Sequence, residues 1–172
     1  MLLFEVGFVE IQGMATVILF ALCFYLLTEL REIRRDLKLK QPASDKNNIL
    51  SIQAYERLTL LTDRIALKNL VSRTFMDSLT AAEMQAGLVE TIRKEYEYNF
   101  TQQNYVNPDV WKAITKMKDQ NIFIINQLAG ALPPDANAMD LSNLILEYSG
   151  KTNAELSPVV LDAIQYEVKK LM

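Results

Sequence analysis

The side chains that could do chemistry in this chain are few, and their spacing does not converge. There is no histidine, which removes the commonest general base and most zinc sites. The single cysteine, Cys23, lies in an apolar run, so thiolate clusters and an intramolecular disulfide are excluded. Five glycines form neither GxGxxG nor GxxxxGK[ST], so no phosphate cradle is present. Carboxylates, lysines, tyrosines and serines remain. Glu83, Glu90 and Glu97 are seven apart and share a helix face, as in di-metal bundles, but those bundles also need Glu-x-x-His. A solvent-facing row is expected instead. No catalytic, cofactor-binding or metal-ligating residue is assigned, no small-molecule substrate is evident, and the protein is expected not to be an enzyme.

The densest stretch of another kind is Glu90 to Trp111, ETIRKEYEYNFTQQNYVNPDVW. Glu90, Arg93, Lys94, Glu95 and Glu97 alternate in sign as on a solvated helix face, with Glu90 and Lys94 an i,i+4 pair. Tyr96, Tyr98, Phe100, Tyr105 and Trp111 border the amides Asn99, Gln102, Gln103 and Asn104. Rings beside adaptable polar groups suit a protein interface, and Tyr98, Tyr105 and Trp111 are its candidates. The alternative is that the rings are core and the amides bond the turn before Pro108. Charge balance, 18 Lys+Arg against 21 Asp+Glu with no basic aromatic stripe, argues against nucleic acid as a partner.

The elements that must carry these groups follow from hydrophobic patterning. Ile11 to Thr28, IQGMATVILFALCFYLLT, holds no formal charge. As a helix it would run about 27 Å, close to a bilayer core of ~30 Å, so it is expected to span a membrane. The following REIRRDLKLK, residues 31–40, is basic and predicts an outside N-terminus and a cytoplasmic C-terminal part. The start MLLFEVGFVE is acidic and lacks a small-residue cleavage pattern, so an uncleaved anchor is expected, with membrane lipid as a partner. Cys23 reads as a small residue of that span, or less simply as an acylation site. Glu5 and Glu10 are candidates for intramembrane carboxylates, or else lie wet at the interface.

Leu26, Leu30, Ile33 and Leu37, spaced four, three and four, form a short a/d seam. Leu30, Ile33 and Leu37 are therefore candidates for pairing with another membrane protein or with the chain's own copies. The domains expected are 1–40, a transmembrane anchor and amphipathic stalk; 41–48, a linker QPASDKNN; and 49–172, a helical bundle. The bundle's first helix puts Ala54, Leu58, Leu61 and Ile65 on one seam, and a corner follows over Ala66 to Asn69. Thr80-Ala81-Ala82-Glu83 is a capping box before a row of Met84, Leu88, Ile92, Tyr96 and Phe100. Asn107-Pro108 starts a helix with Val110, Ile114, Met117, Asn121, Ile124 and Leu128 in a/d rhythm, Asn121 being its polar member. Two shorter helices, near Asn137 to Ser149 and from Pro158 with Ser157 as cap, complete an all-α chain without strand alternation.

Tyr55-Glu56-Arg57-Leu58, Thr80-Ala81-Ala82-Glu83-Met84-Gln85, and Glu95-Tyr96-Glu97-Tyr98-Asn99 followed by Gln102-Gln103, Tyr105-Val106 and Trp111 give the chain its likeness. In these the sequence resembles an uncharacterised family of small single-pass membrane proteins of Bacteroidota. The resemblance implies one span, a helical cytoplasmic region and the bacterial inner membrane; it transfers no catalytic residue. Two functions are expected from it and from the patterning. One is a membrane-anchored interaction or scaffold protein. The other is an accessory subunit of a transport, secretion or respiratory complex that meets its partner through the transmembrane segment.

Overall fold

The computed structural model describes residues 19–20, 22–33, 43–151 and 155–172. The chain divides into two compact units, Met1–Lys46 and Asn47–Met172. In the first, residues 22–33 form a helix, α1, whose large side chains are exposed. The others are α2 (Ala43–Ile65), α3 (Leu67–Thr74), α4 (Ala81–Tyr98), a 3-10 segment η1 (Phe100–Tyr105), α5 (Pro108–Gly130), α6 (Ala138–Ser149) and α7 (Ser157–Leu171). The all-α expectation holds.

The transmembrane part of that fold class does not. No helix among the described residues is long and apolar enough to cross a membrane. Within the described residues α1 covers 22–33, with 19–20 also helical. Its second half carries Glu29, Arg31 and Glu32. The single-pass span and the inner-membrane localisation with an outside N-terminus are corrected accordingly. Ile11, most of the expected span up to residue 18, Glu5, Glu10 and Leu37 lie outside the described residues. Thr28, the expected far end of the span, is an exposed residue of α1 whose hydroxyl donates to Tyr25 O at 2.7 Å. α2 begins at Ala43, inside the stretch read as a linker.

The second unit is organised about α4, which packs against α3, α5 and α6, while α5 also packs on α7. Its face is the expected row: Met84, Leu88 and Ile92 are fully buried. Thr80 starts the helix with a complete capping box, its hydroxyl accepting from Glu83 N while the Glu83 carboxylate accepts from Thr80 N. α6 starts the same way, with Asn137 and Asp140. The two boxes lie side by side. Ala81 N donates to Ala136 O and Ala138 N to Leu79 O, an isolated antiparallel bridge at Thr80 and Asn137 that fastens two helix N-termini together.

The other fastening is the α2–α3 corner. Leu58, Leu61 and Ile65 are buried to the end of α2, and Leu67, Leu70 and Val71 continue the core in α3. Between them the ladder is kept by Ala66 N to Thr62 O and Leu70 N to Ala66 O. Asn121, buried in the middle of α5, donates its amide to Ile65 O at 2.7 Å. The polar member of the α5 row thus supplies a donor to a helix-end carbonyl inside the core. Glu95 of α4 is mostly buried, unlike its solvated neighbours Lys94 and Glu97, because it takes Arg64 of α2 and Arg73 of α3 at 3.2 and 3.3 Å. One carboxylate thereby ties three helices across their outer edge.

Asn121→Leu leaves the Ile65 carbonyl without that donor and should cost about 1–3 kcal/mol in denaturant unfolding. Asn143→Leu, on the exposed side of α6, should stay within about 0.5 kcal/mol. Thr80→Ala and Asn137→Ala should each cost about 1 kcal/mol. A double-mutant cycle should find them coupled, because the bridge makes each cap's geometry depend on the other.

Candidate functional site

One end of the bundle gathers the stretch singled out by its rings. α4 stops at Tyr98 because Asn99 takes the C-cap, with its side-chain amide donating back to Glu95 O at 2.8 Å. The chain then tightens into η1, and Asn107 and Pro108 start α5, Asn107 Oδ1 accepting from Asp109 N at 2.8 Å. This reversal sets the rings. Phe100, expected to continue the buried row, leaves it once the helix ends, and it lies half exposed against Tyr96 and Trp111. Tyr96 and Trp111 approach to 5.1 Å between ring centroids, and Phe100 and Trp111 meet edge to face at 6.1 Å. Thr115 donates to Trp111 O, so its oxygen accepts from the Tyr96 hydroxyl at 2.9 Å. Lys118 covers the Tyr96 ring at 4.6 Å.

The three sequence candidates separate into two kinds. Trp111 is partly buried and packs against the core, so it is the base of the aromatic group rather than its exposed face. Tyr98, the last residue of α4, and Tyr105, the last of η1, are 70 % and 46 % exposed, and Phe100 between them is 52 % exposed. Arg57 of α2 lies over the Tyr98 ring at 5.6 Å. Patterning had Phe100 in the ring group without choosing it as a candidate, and it missed Arg57. The Tyr55-Glu56-Arg57 run already stood out in the sequence, but nothing local links it to a ring forty-one residues away.

The amides divide too. Asn99 and Gln102 are buried, Asn99 in its cap and Gln102 with its amide on Thr101, whereas Asn104 is exposed and Gln103 partly so. Below this surface the Tyr55 hydroxyl, from a buried side chain of α2, accepts the Asn107 backbone N–H at 2.8 Å. Burial pushes the Tyr55 phenol above its ordinary value, partly offset by the Asn107 N–H. Glu167 of α7 lies nearby and bonds Lys170 at 2.6 Å, and Lys170 in turn covers the Tyr166 ring at 4.1 Å. The lysine, and in smaller part the Asn107 side-chain amide, hold the Glu167 carboxyl below its usual range. Three helices, α2, α5 and α7, are thus joined through Tyr55, Asn107 and Glu167.

Other places offer less. Glu83, Glu90 and Glu97 are all exposed; Glu83 serves its capping box and Glu90 pairs with Lys94 at 2.6 Å. Their carboxyls, Glu83 through the Thr80 amide and Glu90 through Lys94, sit below the ordinary range. A cleft of about 440 Å³ opens beside the starts of α3 and α7, lined by Lys68 and Lys151 but also by Asp63 and Glu155. Asp63 already takes Asn69, and Glu155 takes the Ser157 hydroxyl, so both acids of the lining are engaged. Ser157 belongs to α7 rather than capping it.

Helices fixed by paired caps, with an aromatic rim on one end, define an all-α helical bundle. The chain belongs to a family of unknown function, DUF7935, whose model matches residues 1–171. The likeness to an uncharacterised family is thereby established over the chain. No curated protein and no solved structure matches it.

The raised Tyr55 phenol makes a signed prediction. Its neutral form is the one the fold favours, so its contribution is fully present below the unfolded value near 10 and is lost as pH rises through the higher folded value. Unfolding followed from pH 8 to 11.5 should show stability falling over the upper part of that window. Tyr55→Phe should begin about 1 kcal/mol less stable, having lost the Asn107 bond, and should lose less of its stability across the same window.

Proposed function

We propose that this protein is a non-enzymatic interaction module that docks another protein on the Tyr98, Phe100 and Tyr105 end of its bundle. The observation that carries the reading is the exposure of these three rings where α4 ends and the chain reverses, with Phe100 resting on Tyr96 and Trp111. Tyrosine and arginine are common among residues that dominate binding energy, and a ring fixed by its backbone loses little freedom when covered. Arg57 places a cation on the same rim, suited to an acidic or carboxylate-bearing contact. Asn104 and Gln103 border the rings with amides able to bond a partner's backbone. A bacterial source within Bacteroidota, as the resemblance implies, belongs to this reading. The work of such a module is to bring bound proteins together, raising their effective concentration rather than changing a bond.

Tyr98→Ser combined with Tyr105→Ser should leave helix content and unfolding midpoint nearly unchanged, since neither ring fills the core. The same double variant should lose partner binding by roughly tenfold or more. A photoreactive residue at position 98 should crosslink that partner in cells, while one at exposed Phe123 on α5 should not. Equal capture by both positions, or capture unchanged by the double variant, would sink the reading.

A further inference from the structure

We infer that the protein docked on the aromatic end presents an acidic segment, which continues from Tyr98 along the α2–α4 edge and sets one carboxylate on Arg57 and a second between Arg64 and Arg73. The inference rests on the docking reading above and adds the chemistry of what is docked.

Three guanidinium groups lie along this edge. Arg57 and Arg64 are seven apart on α2, two turns along one stripe, and so about 10.5 Å apart along the helix axis. α4 runs the other way beside them, since Arg57 meets Tyr98 and Arg64 meets Glu95. Arg73 joins from α3 on the same carboxylate. None of the three forms another ion pair among the described residues. Glu56 and Asp63 each precede an arginine by one residue, which turns them about 100° round α2. Asp63 is in any case taken by the Asn69 amide. Glu97 is turned by about 200° from Glu95 on α4. Three cations therefore face one acid.

The way Glu95 is held leaves the clamp open. Arg64 gives only Nη1, which donates to both Glu95 oxygens at 3.2 Å, and Arg73 gives only Nη2, to Oε1 at 3.3 Å. The other nitrogens of both groups make no hydrogen bond among the described residues. Both side chains stay about half exposed, while that of Glu95 is 15 % exposed. A carboxylate so covered needs one counter-charge; the second arginine is surplus, and two like charges sharing one oxygen repel each other. A carboxylate arriving on the outer side balances the cluster at two against two, and the free guanidinium edges can grip it. A phosphoryl dianion would instead leave the cluster negative beside Glu95. Arg57 rests its charge on a ring face and not on an acid, so it takes the other carboxylate. The two acids are thus specified at about 10 Å, which is three residues of an extended segment or seven of a helix.

Random twelve-residue peptides displayed on phage and selected on the immobilised full chain are the probe. Selected sequences should carry two Asp or Glu at one of these spacings beside an aromatic or aliphatic residue. A synthetic copy of the commonest sequence should lose affinity at least about tenfold as sodium chloride rises from about 50 to 300 mM. Arg64→Gln with Arg73→Gln should weaken it about tenfold, while Lys116→Gln, exposed on α5, should change nothing. Arg64→Lys with Arg73→Lys keeps both charges but not the forks and should weaken it severalfold, which tests the clamp even where the glutamine pair loosens the corner. Acidic peptides that still bind Tyr98→Ser with Tyr105→Ser at full strength would leave the arginines standing and sink the docking reading. Ring-dependent peptides with no acid preference, or with one that the arginine substitutions leave untouched, overturn this inference alone. A selection that enriches nothing overturns both.

Discussion

The bundle turns on one buried hydrogen bond, from the Asn121 amide to the Ile65 carbonyl. A helix that ends inside a core leaves carbonyls that water cannot reach, and α2 must end there for α3 to turn toward α6. Asn121 meets that need from the centre of α5, and so fixes where α5 lies along α2. Once α5 is placed, the packing of Ile114 and Met117 against the interior follows, as does the position of Asn107 at its start. Asn107 then reaches Tyr55, one face of α2 above the same core. Two contacts, from the start and the middle of α5 and about four turns apart, therefore align it against the second half of α2. The Glu95 carboxylate closes the outer side of the same corner, but its arginines are half exposed and each pair adds little by itself.

The second constraint is the doubled cap. Helix starts are places where backbone N–H groups lack partners, and α4 and α6 each answer locally with a side chain three residues away. Placing the two starts together lets the residues just outside the caps pair backbone to backbone as well. This removes freedom from the Leu79 and Ala136 segments, which otherwise would be plain loop. Caps of this kind are visible in sequence because they depend on residues three apart. That is why Thr80, Asn107 and Asn137 all mark real starts, and why the rows of α4 and α5 could be written down residue by residue.

What patterning misread has the opposite character. Glu95 sits in a run of alternating charge and looks solvated; it is drawn inward by arginines on two other helices, twenty-two and thirty-one residues away. Phe100 keeps a spacing of four with Ile92 and Tyr96, but Asn99 ends the helix one residue earlier and the spacing stops having meaning. Helix length is decided by the competition between the cap and the next turn, which a hydrophobic count does not contain. The bilayer span expected from the apolar run is corrected on a different ground: no helix among the described residues is long and apolar enough to cross a membrane, and the described helix that begins in the run carries Glu29, Arg31 and Glu32 directly after it.

The aromatic end brings these strands together. Tyr96 and Trp111 are committed to the fold, one through its hydroxyl and a lysine over its face, the other through the core. Phe100 rests on both, so the rim inherits the rigidity of α4 and α5. Tyr98 has no such duty: it is the last residue of α4, projected beyond the core by the same Asn99 cap that releases Phe100. Arg57 lies over it but leaves it 70 % exposed, so a neutral substitution there would leave the fold intact. A large exposed ring on a rigid base, unexplained by packing, is the kind of surface whose cover comes from another molecule.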